Sequence, residues 1–154
     1  IRIEFRLRPE TLTSGPATPA AGGFGGGQRL MQDGRHRMIR LGHGGLIVNI
    51  ASISKAGNAG QSNYSAAKAG VTALAVVWAR ELARFGIRAA SIAPGFTRTD
   101  ILSAMPPEML DKMTAPVPLR RLGLPEEVAH AAVFIAENDY FTGRSLDLDG
   151  GLRL

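Results

Sequence analysis

The pattern of hydrophobic and polar residues predicts two buried strands separated by one long helix. The strands are short apolar runs, LIVNIAS at residues 46–52 and IRAASIA at residues 87–93. Continuous apolar runs of this length are typical of strands that are covered on both faces. Between them, residues 63–84 have the pattern of a helix, and Gly86 follows in the position of a C-cap.

The rest of the chain continues this alternation of helix and strand. PEEVAHAAVFIAEN, at residues 125–138, predicts a second helix with Pro125 in its first turn, and RSLDLDG, at residues 144–150, predicts a closing strand. Helix-length connections join strands that run in the same direction. The sequence therefore predicts an α/β fold with a parallel, helix-covered sheet.

Residues 1–37 have a different composition. IRIEFRL at residues 1–7 alternates apolar and polar positions and predicts a strand with one solvent-facing side, whereas the Gly- and Pro-rich residues 13–28 predict a flexible linker or disorder. The glycines of this linker do not fit the G-x-G-x-x-G spacing, because Gln28 and Leu30 stand where glycine is needed. No phosphate-binding loop is predicted here.

The helix at residues 63–84 has two apolar surfaces. The surface expected to cover the sheet carries a polar pair at its N-terminal end and consists of Tyr64, Lys68, Val71, Ala75, Trp78 and Leu82. The second surface has mainly small side chains and consists of Ala66, Gly70, Ala73, Leu74 and Val77. Small side chains allow close helix packing, so the second surface is expected to contact either a partner subunit or the segment at residues 28–41.

Composition excludes several classes of function. The chain has 154 residues, enough for one core, and a net charge of +5 that resides mainly in residues 1–40, where seven arginines are scattered among Gly and Pro. This arrangement lacks the aromatic partners of a nucleic-acid surface, so no nucleic-acid partner is predicted. Cysteine is absent and the three histidines lack ligand spacing, which excludes disulfides and predicts no metal site.

The longest apolar run, residues 70–79, is about half the roughly twenty residues that cross a bilayer. The start of the chain lacks the apolar core of a signal peptide. We therefore expect a soluble, cytoplasmic protein without a membrane partner.

Tyr64 and Lys68 are four positions apart near the start of the long helix. Residues at i and i+4 share one face and can reach each other or a common ligand. A free tyrosine hydroxyl loses its proton only near about pH 10, and a lysine ammonium at about 4 Å favours the phenolate by roughly 4 kcal/mol at an effective dielectric constant of about 20. The pair is a candidate acid–base site, and the alternative is a helix-end tyrosine beside a lysine that extends to solvent.

Ser52 is a third candidate. It follows the first buried strand and precedes Tyr64 by twelve residues. Open α/β sheets bind their ligands at the carboxyl ends of the strands. The serine and the tyrosine are therefore expected to meet over one substrate oxygen.

Four longer motifs occur in a fixed order in this sequence. They are IVNIASISKAGNAGQSNYSAAKAG, GIRAASIAPGFTRTD, PLRRLGLPEEVA and TGRSLDLDGG. Together they resemble the second half of the short-chain dehydrogenases/reductases, and most closely the members that are similar to 3-oxoacyl-[acyl-carrier-protein] reductases. The resemblance runs from about Met38 to Leu154.

The resemblance implies a Rossmann-like doubly wound parallel sheet, represented here by its C-terminal half, and an oxidoreductase that uses NADP or NAD. It implies that Tyr64 exchanges a proton with the substrate oxygen as hydride moves to or from the nicotinamide. Lys68 would bind the nicotinamide ribose and favour the phenolate, and Tyr64 would also contact the cofactor. Ser52 would hydrogen-bond the substrate oxygen.

Further site residues are implied by the same resemblance. Pro94 and Gly95 would form the wall beside the nicotinamide, with Thr97 and Thr99 near its carboxamide. Ser54 is a weaker candidate than the serine at 52, because the family usually places this serine twelve or thirteen residues before the tyrosine.

The segment at residues 99–120 stands where the family has its mobile substrate lid. Its apolar side chains could line an acyl pocket or simply pack under the lid; they are Ile101, Leu102, Met105, Met109 and Met113. In the family, the long helix and the closing strand make subunit contacts, which implies a homo-oligomer, either a dimer or a tetramer.

The resemblance does not extend to residues 1–37. The T-G-x-x-x-G-x-G turn and the N-A-G segment of the family are absent from the sequence, no Asn precedes Asn49, and Ala90 replaces an Asn of many relatives. We expect an atypical basic leader with two possible origins. It belongs either to a fragment or altered-frame product of a reductase gene, or to a domain that another chain completes.

The sequence thus predicts hydride transfer between NAD(P)H and a carbonyl or secondary alcohol. The expected substrate is a 3-oxoacyl thioester, either small or linked to an acyl carrier. The alternative is a non-catalytic assembly module that keeps the helix and strand interfaces and binds no dinucleotide.

Overall fold

The computed structural model describes residues 2–5, 34–99, 102 and 104–153. Within these residues one sheet forms, in the order β1 (Arg2–Phe5), β2 (Gly45–Ile50), β3 (Ile87–Pro94) and β4 (Ser145–Leu148). The last three strands are parallel, and β1 pairs antiparallel with β2. The predicted parallel sheet is confirmed for these three strands, and β1 lies within the strand predicted at the start of the chain.

The described part of the chain also contains α-helices. They are α1 at residues 34–41, α2 (Ser62–Leu82), α3 (Pro107–Thr114) and α4 (Pro125–Glu137). The bounds of α2 and α4 differ from the predicted ones by two residues or fewer. None of these described helices combines the length and the apolar character needed to cross a bilayer.

The end of α2 explains the largest of these differences. Residues Ala83–Phe85 tighten into a 3₁₀ turn, as helix ends often do. Gly86 then takes a left-handed conformation with φ of 68°, and its N–H donates to the carbonyl of Ala83. The predicted glycine cap is therefore confirmed, but the last turn before it is not α-helical.

Alternate residues of β2 and β3 face opposite helices, since side chains in a strand point to the two faces in turn. One face packs against α4 and contains Leu46, Val48, Ala90 and Ile92. The other face packs against α2 and contains Ile47, Ile87 and Ala89, with Trp78 and Leu82 of the helix. Both faces are buried, which is why these strands are apolar at almost every position.

The two surfaces predicted for α2 behave differently. The sheet-facing surface is confirmed, with Ala75, Trp78 and Leu82 buried. On the second surface, Leu74 joins a cluster that also contains Met38 and Ile39 of α1. Ala66, Ala73 and Val77 remain exposed. Part of the second surface is thus covered on the side of α1. That a partner subunit covers the remaining, exposed part stays a prediction.

Candidate active site

The candidate residues lie near one edge of the sheet. Ser52 follows the end of β2 by two positions, and Pro94 is the last residue of β3. Because these strands are parallel, their carboxyl ends lie at the same edge. Tyr64 is the third residue of α2, which begins after the loop that leaves this edge. Ligands of open α/β sheets bind in this location.

Lys68 lies one helical turn after Tyr64 and is held beside it. Its Nζ donates to the carbonyl oxygen of Ile50, at the end of β2, over 2.9 Å. The same Nζ lies 5.5 Å from the centroid of the tyrosine ring. The Tyr64 side chain is accessible, with 46% of its surface exposed. The predicted pair therefore has a fixed ammonium next to a phenol that a substrate can reach.

Ser52 begins a 3₁₀ turn, Ile53–Ala56, and caps it. Its backbone is extended, with φ of −165° and ψ of 157°, and its Oγ accepts from the N–H of Ser54 over 3.2 Å. The sequence suggested that the strand ends at Ser52, but it ends at Ile50. The capping role of Ser52 accounts for this difference. A hydroxyl that accepts a hydrogen bond keeps its own proton for donation.

Ser54, the weaker serine candidate, has a different environment. It is only 6% exposed, and its Oγ donates to Oε1 of Gln61 over 3.4 Å. Asn58 donates to the same oxygen and, through its backbone N–H, to Oγ of Ser65. Ser54 thus holds the loop against the start of α2, whereas Ser52 is only half-buried.

The turn after β3 is fixed by β4. The N–H of Gly95 donates to the carbonyl of Leu148 over 2.9 Å. A Cβ atom at Gly95 would lie 2.8 Å from the Cα of Asp149, which is too close for any side chain. Thr97 donates from its Oγ1 to the carbonyl of Gly95 over 3.3 Å. Pro94, Gly95 and Thr97 are therefore brought together at the sheet edge.

Thr99 lies further along, at the start of the lid segment. It is exposed, and its Oγ1 accepts from the N–H of Leu102 over 3.4 Å. Among the described residues, Thr99 forms no hydrogen bond with the turn that contains Pro94 and Gly95. Its role near the carboxamide of the nicotinamide stays a prediction.

An open depression of about 500 Å³ lies next to Tyr64 and is lined by residues 60–64. It includes the start of α2 but none of the other candidate residues. The surface of the described residues is thus open on this side of Tyr64.

Comparison with known proteins decides the family. A family model described as enoyl-(acyl carrier protein) reductase matches residues 26–153, a range that contains every candidate site residue. The chain belongs to the short-chain dehydrogenase/reductase family. The resemblance seen in the sequence motifs is confirmed, and the match begins inside the segment that was predicted to be an atypical leader.

Named relatives of this short-chain dehydrogenase/reductase agree with that assignment. A (3R)-3-hydroxyacyl-CoA dehydrogenase from Mus musculus is 45% identical over 126 residues, which cover 80% of this chain and 49% of the mouse protein. A 3-oxoacyl-[acyl-carrier-protein] reductase from Thermotoga maritima is 43% identical over 111 residues, which cover 70% and 45%. The chain thus spans about half the length of these relatives.

A solved structure supports the fold as well. The crystal structure of a 3-hydroxyacyl-CoA dehydrogenase type-2 from Mycobacterium avium superposes with a TM-score of 0.77 at 37% sequence identity. The superposition covers 82% of this chain and 52% of the other. The predicted Rossmann-like α/β fold is confirmed for the part that the two chains share.

The two ends of the segment in which a substrate lid was predicted are held together. Thr97 and Gly123 form a β-bridge. The N–H of Gly123 donates to the carbonyl of Phe96, and the N–H of Arg98 donates to the carbonyl of Gly123, both over 2.8 Å. The described residues between them include α3. Among the apolar residues of the predicted lid, Met109 is 50% exposed, Leu102, Met105 and Met113 are half-buried, and Ile101 lies outside the described residues.

Two polar residues near the site were not predicted from the sequence. Asn49 is 3% exposed, and its Nδ2 donates to the carbonyl of Val71 in α2 over 3.3 Å. A polar residue inside an apolar strand is a signal that could have drawn attention to it. Lys55 contacts β4 from the turn that Ser52 caps. No local pattern indicates this contact, since its partners lie about ninety positions away.

Proposed function

We propose that this short-chain dehydrogenase/reductase transfers hydride between NAD(P)H and a carbonyl or secondary alcohol, with Tyr64 as the acid–base residue. The observation that supports this most is the position of Lys68. Its ammonium is held by the carbonyl of Ile50 at one side and faces the tyrosine ring at the other. A positive charge fixed beside a phenol stabilises the phenolate that proton transfer leaves behind.

The proposed roles follow from the chemistry of each side chain. In the reductive direction, Tyr64 donates its hydroxyl proton to the substrate oxygen, and in the oxidative direction its phenolate accepts that proton. Ser52 donates a hydrogen bond to the same oxygen and orients it. General acid catalysis of this kind contributes about 10²- to 10⁴-fold to the rate.

The donor set at this edge fits the nicotinamide end of the cofactor. An ammonium has three N–H donors, and Lys68 uses one of them on Ile50, which leaves two for the ribose hydroxyls. Pro94 and Gly95 form the adjacent turn, and the hydroxyls of Thr97 and Thr99 follow it. The bound cofactor, NADP or NAD, supplies or accepts the hydride.

We propose a 3-oxoacyl thioester as the substrate, either free or linked to an acyl carrier. The names of the relatives from mouse and Thermotoga support this class. The flexible methionine side chains of the lid suit an acyl chain of variable shape. A cytoplasmic location is part of the same proposal.

The second candidate is a non-catalytic assembly module. It is favoured by the exposure of Val77, at 44%, on the second surface of α2, and of the neighbouring Val76, at 42%. Apolar side chains that are adjacent and exposed often mark a protein contact. In either case we propose that the chain forms a homo-oligomer, a dimer or a tetramer, through this surface of α2.

Titration with NADH and NADPH separates the two candidates. Cofactor fluorescence is followed as the purified protein is added, with Lys68→Ala as the test variant. Saturable binding that this substitution weakens at least about tenfold, the effect of losing about 1.4 kcal/mol, supports the enzyme. Absence of binding in a protein that still dimerises supports the assembly module.

A further inference from the structure

Lys55 connects the loop of the candidate site to the closing strand. It belongs to the 3₁₀ turn Ile53–Ala56, which Ser52 caps. Its Nζ donates to Oγ of Ser145 over 2.9 Å and forms an ion pair with the carboxylate of Asp147. Oγ of Ser145 in turn donates to that carboxylate over 3.1 Å. The ammonium, the hydroxyl and the carboxylate are therefore hydrogen-bonded to one another.

This contact links two strands that are not neighbours in the sheet. β3 lies between β2 and β4 in the sheet, and Asp147 is paired in register with Ala93. Lys55 comes from the turn after β2, and its partners Ser145 and Asp147 are paired with Ser91 and Ala93 of β3, so the contact spans the middle strand. The lysine side chain is 18% exposed, which shows that it runs along the protein surface and not out into solvent.

The same strand also holds the turn on the other side of the site. Leu148, next to Asp147, accepts the hydrogen bond from the N–H of Gly95. Beside these polar contacts, Ile53 packs with Val117 and Leu152 in an apolar cluster. Apolar contacts fix distance but not direction, whereas a charge-assisted hydrogen bond fixes direction as well. Lys55 thus adds a directional contact between β4 and the turn that Ser52 caps.

We propose that Lys55, through Asp147 and Ser145, is a positioning residue that holds the Ser52 hydroxyl in place relative to the Pro94–Gly95 turn. The proposal rests on the proposed function, in which that hydroxyl orients the substrate oxygen. An error of about 1 Å in such a position can lower a rate by as much as about 100-fold. In this proposal Lys55 acts through the turn and not by direct contact with substrate or cofactor.

Amide hydrogen exchange tests the structural part of the proposal without any activity. Lys55→Met keeps the aliphatic stem and removes the charge. The amides of Ser54, Lys55 and Gly57 donate within the 3₁₀ turn, and we expect them to exchange at least about tenfold faster in the variant. Unchanged exchange at these amides overturns the proposal. Asp147→Ala serves as a second variant if Lys55→Met does not fold.

A matched control breaks a different ion pair. Glu81→Gln removes the ion pair between Glu81 of α2 and Arg35 of α1. This ion pair involves neither Ser52 nor β4. Exchange in the 3₁₀ turn is expected to stay at the wild-type rate in this control. Equal acceleration in both variants indicates general destabilisation and contradicts a specific role for Lys55.

Kinetics with a carbonyl substrate test the functional part. Lys55→Met is expected to lower kcat about tenfold while the Kd of the cofactor stays within about twofold, because Lys68 is untouched. The exchanged pair, Lys55→Asp with Asp147→Lys, is expected to regain most of the loss. Unchanged kcat in Lys55→Met overturns the proposal. A wild-type protein without any reductase activity contradicts the proposed function instead, and the exchange experiment then decides the role of Lys55 by itself.

Discussion

At the scale of single residues, the site depends on side chains whose freedom is already restricted. Lys68 is hydrogen-bonded to the last residue of β2, and Ser52 is hydrogen-bonded within the 3₁₀ turn that it begins. Gly95 has no room for a side chain. Such restriction lowers the cost of arranging catalytic groups when a substrate binds. We therefore expect the rate of the proposed reaction to change when the backbone of the candidate site moves slightly.

Gly95→Ala tests the close packing of the turn after β3. The added methyl group would meet the backbone of Asp149 at 2.8 Å, so the turn must move, and we expect a loss of about 1–3 kcal/mol in the free energy of unfolding. Gly123→Ala is the matched control, because a Cβ there has its nearest neighbour at 3.7 Å. Urea unfolding measures both, and equal stabilities of the two variants contradict the account.

At the scale of elements, the C-terminal end of α4 is capped by Arg88, an arginine of β3. The Arg88 guanidinium donates to the carbonyls of Ile135, Ala136, Asn138 and Phe141, at distances from 2.7 to 3.1 Å. Ile135 and Ala136 belong to the last turn of α4, whose carbonyls have no partners within the helix, and Asn138 and Phe141 follow it. Arg88 therefore acts as a C-cap that arrives from β3.

Arg88→Met is expected to lower the free energy of unfolding by about 2–4 kcal/mol, since four carbonyls lose a charged donor in a half-buried place. Arg88→Lys is expected to recover only part of this, because an ammonium cannot match the fork of a guanidinium. Arg84→Met, an exposed arginine on the 3₁₀ turn after α2, is the control. Thermal or urea unfolding decides, and a loss for Arg88→Met no larger than the control contradicts the capping role.

The start of α4 carries a charge pair that predicts a pH dependence. Hydrogen bonds from Arg121, and then from the N–H of Leu124, lower the pKa of Glu127 to about 2. A carboxylate with a lowered pKa in the folded state stabilises the protein above its usual pKa of about 4.5, and this contribution is lost as the pH falls toward about 2. The contribution of the Arg121–Glu127 pair to stability is therefore fully present at neutral pH.

Glu127→Gln removes the charge and keeps an oxygen that can accept from Leu124. We expect the gap in urea midpoint between wild type and this variant to be largest above about pH 5 and to shrink as the pH falls below about 4.5. Glu126→Gln, its neighbour in the same helical turn, corrects for net charge. A gap that grows on acidification contradicts the assignment.

At the scale of the whole molecule, the sequence predicted those features that depend on local pattern. The apolar runs of β2 and β3, Gly86 at the end of its helix, and the shared face of Tyr64 and Lys68 all follow from periodicity. The contacts of Lys55 and Arg88 could not be predicted, because each joins residues about 47 to 92 positions apart. The antiparallel pairing of β1 with β2 is long-range in the same sense.

Self-association is the prediction that belongs to this scale. Val76 and Val77 are exposed on α2, and a charge at either position would be buried in an interface without a partner. We expect Val77→Glu to shift the protein toward monomer by at least about tenfold in dissociation constant, as measured by sedimentation, with circular dichroism unchanged. An unaltered dissociation constant contradicts the use of this surface.

The central claim is that Tyr64 transfers the proton in a hydride-transfer reaction. The most direct measurement is the reduction of acetoacetyl-CoA, with NADH and with NADPH, by wild type, Tyr64→Phe and Tyr140→Phe. Tyr140 is the other tyrosine of the chain and is 98% exposed, so it is a matched control. We predict that Tyr64→Phe lowers kcat by about 10²- to 10⁴-fold and that Tyr140→Phe keeps the wild-type value. Equal activities of the two variants would contradict the account.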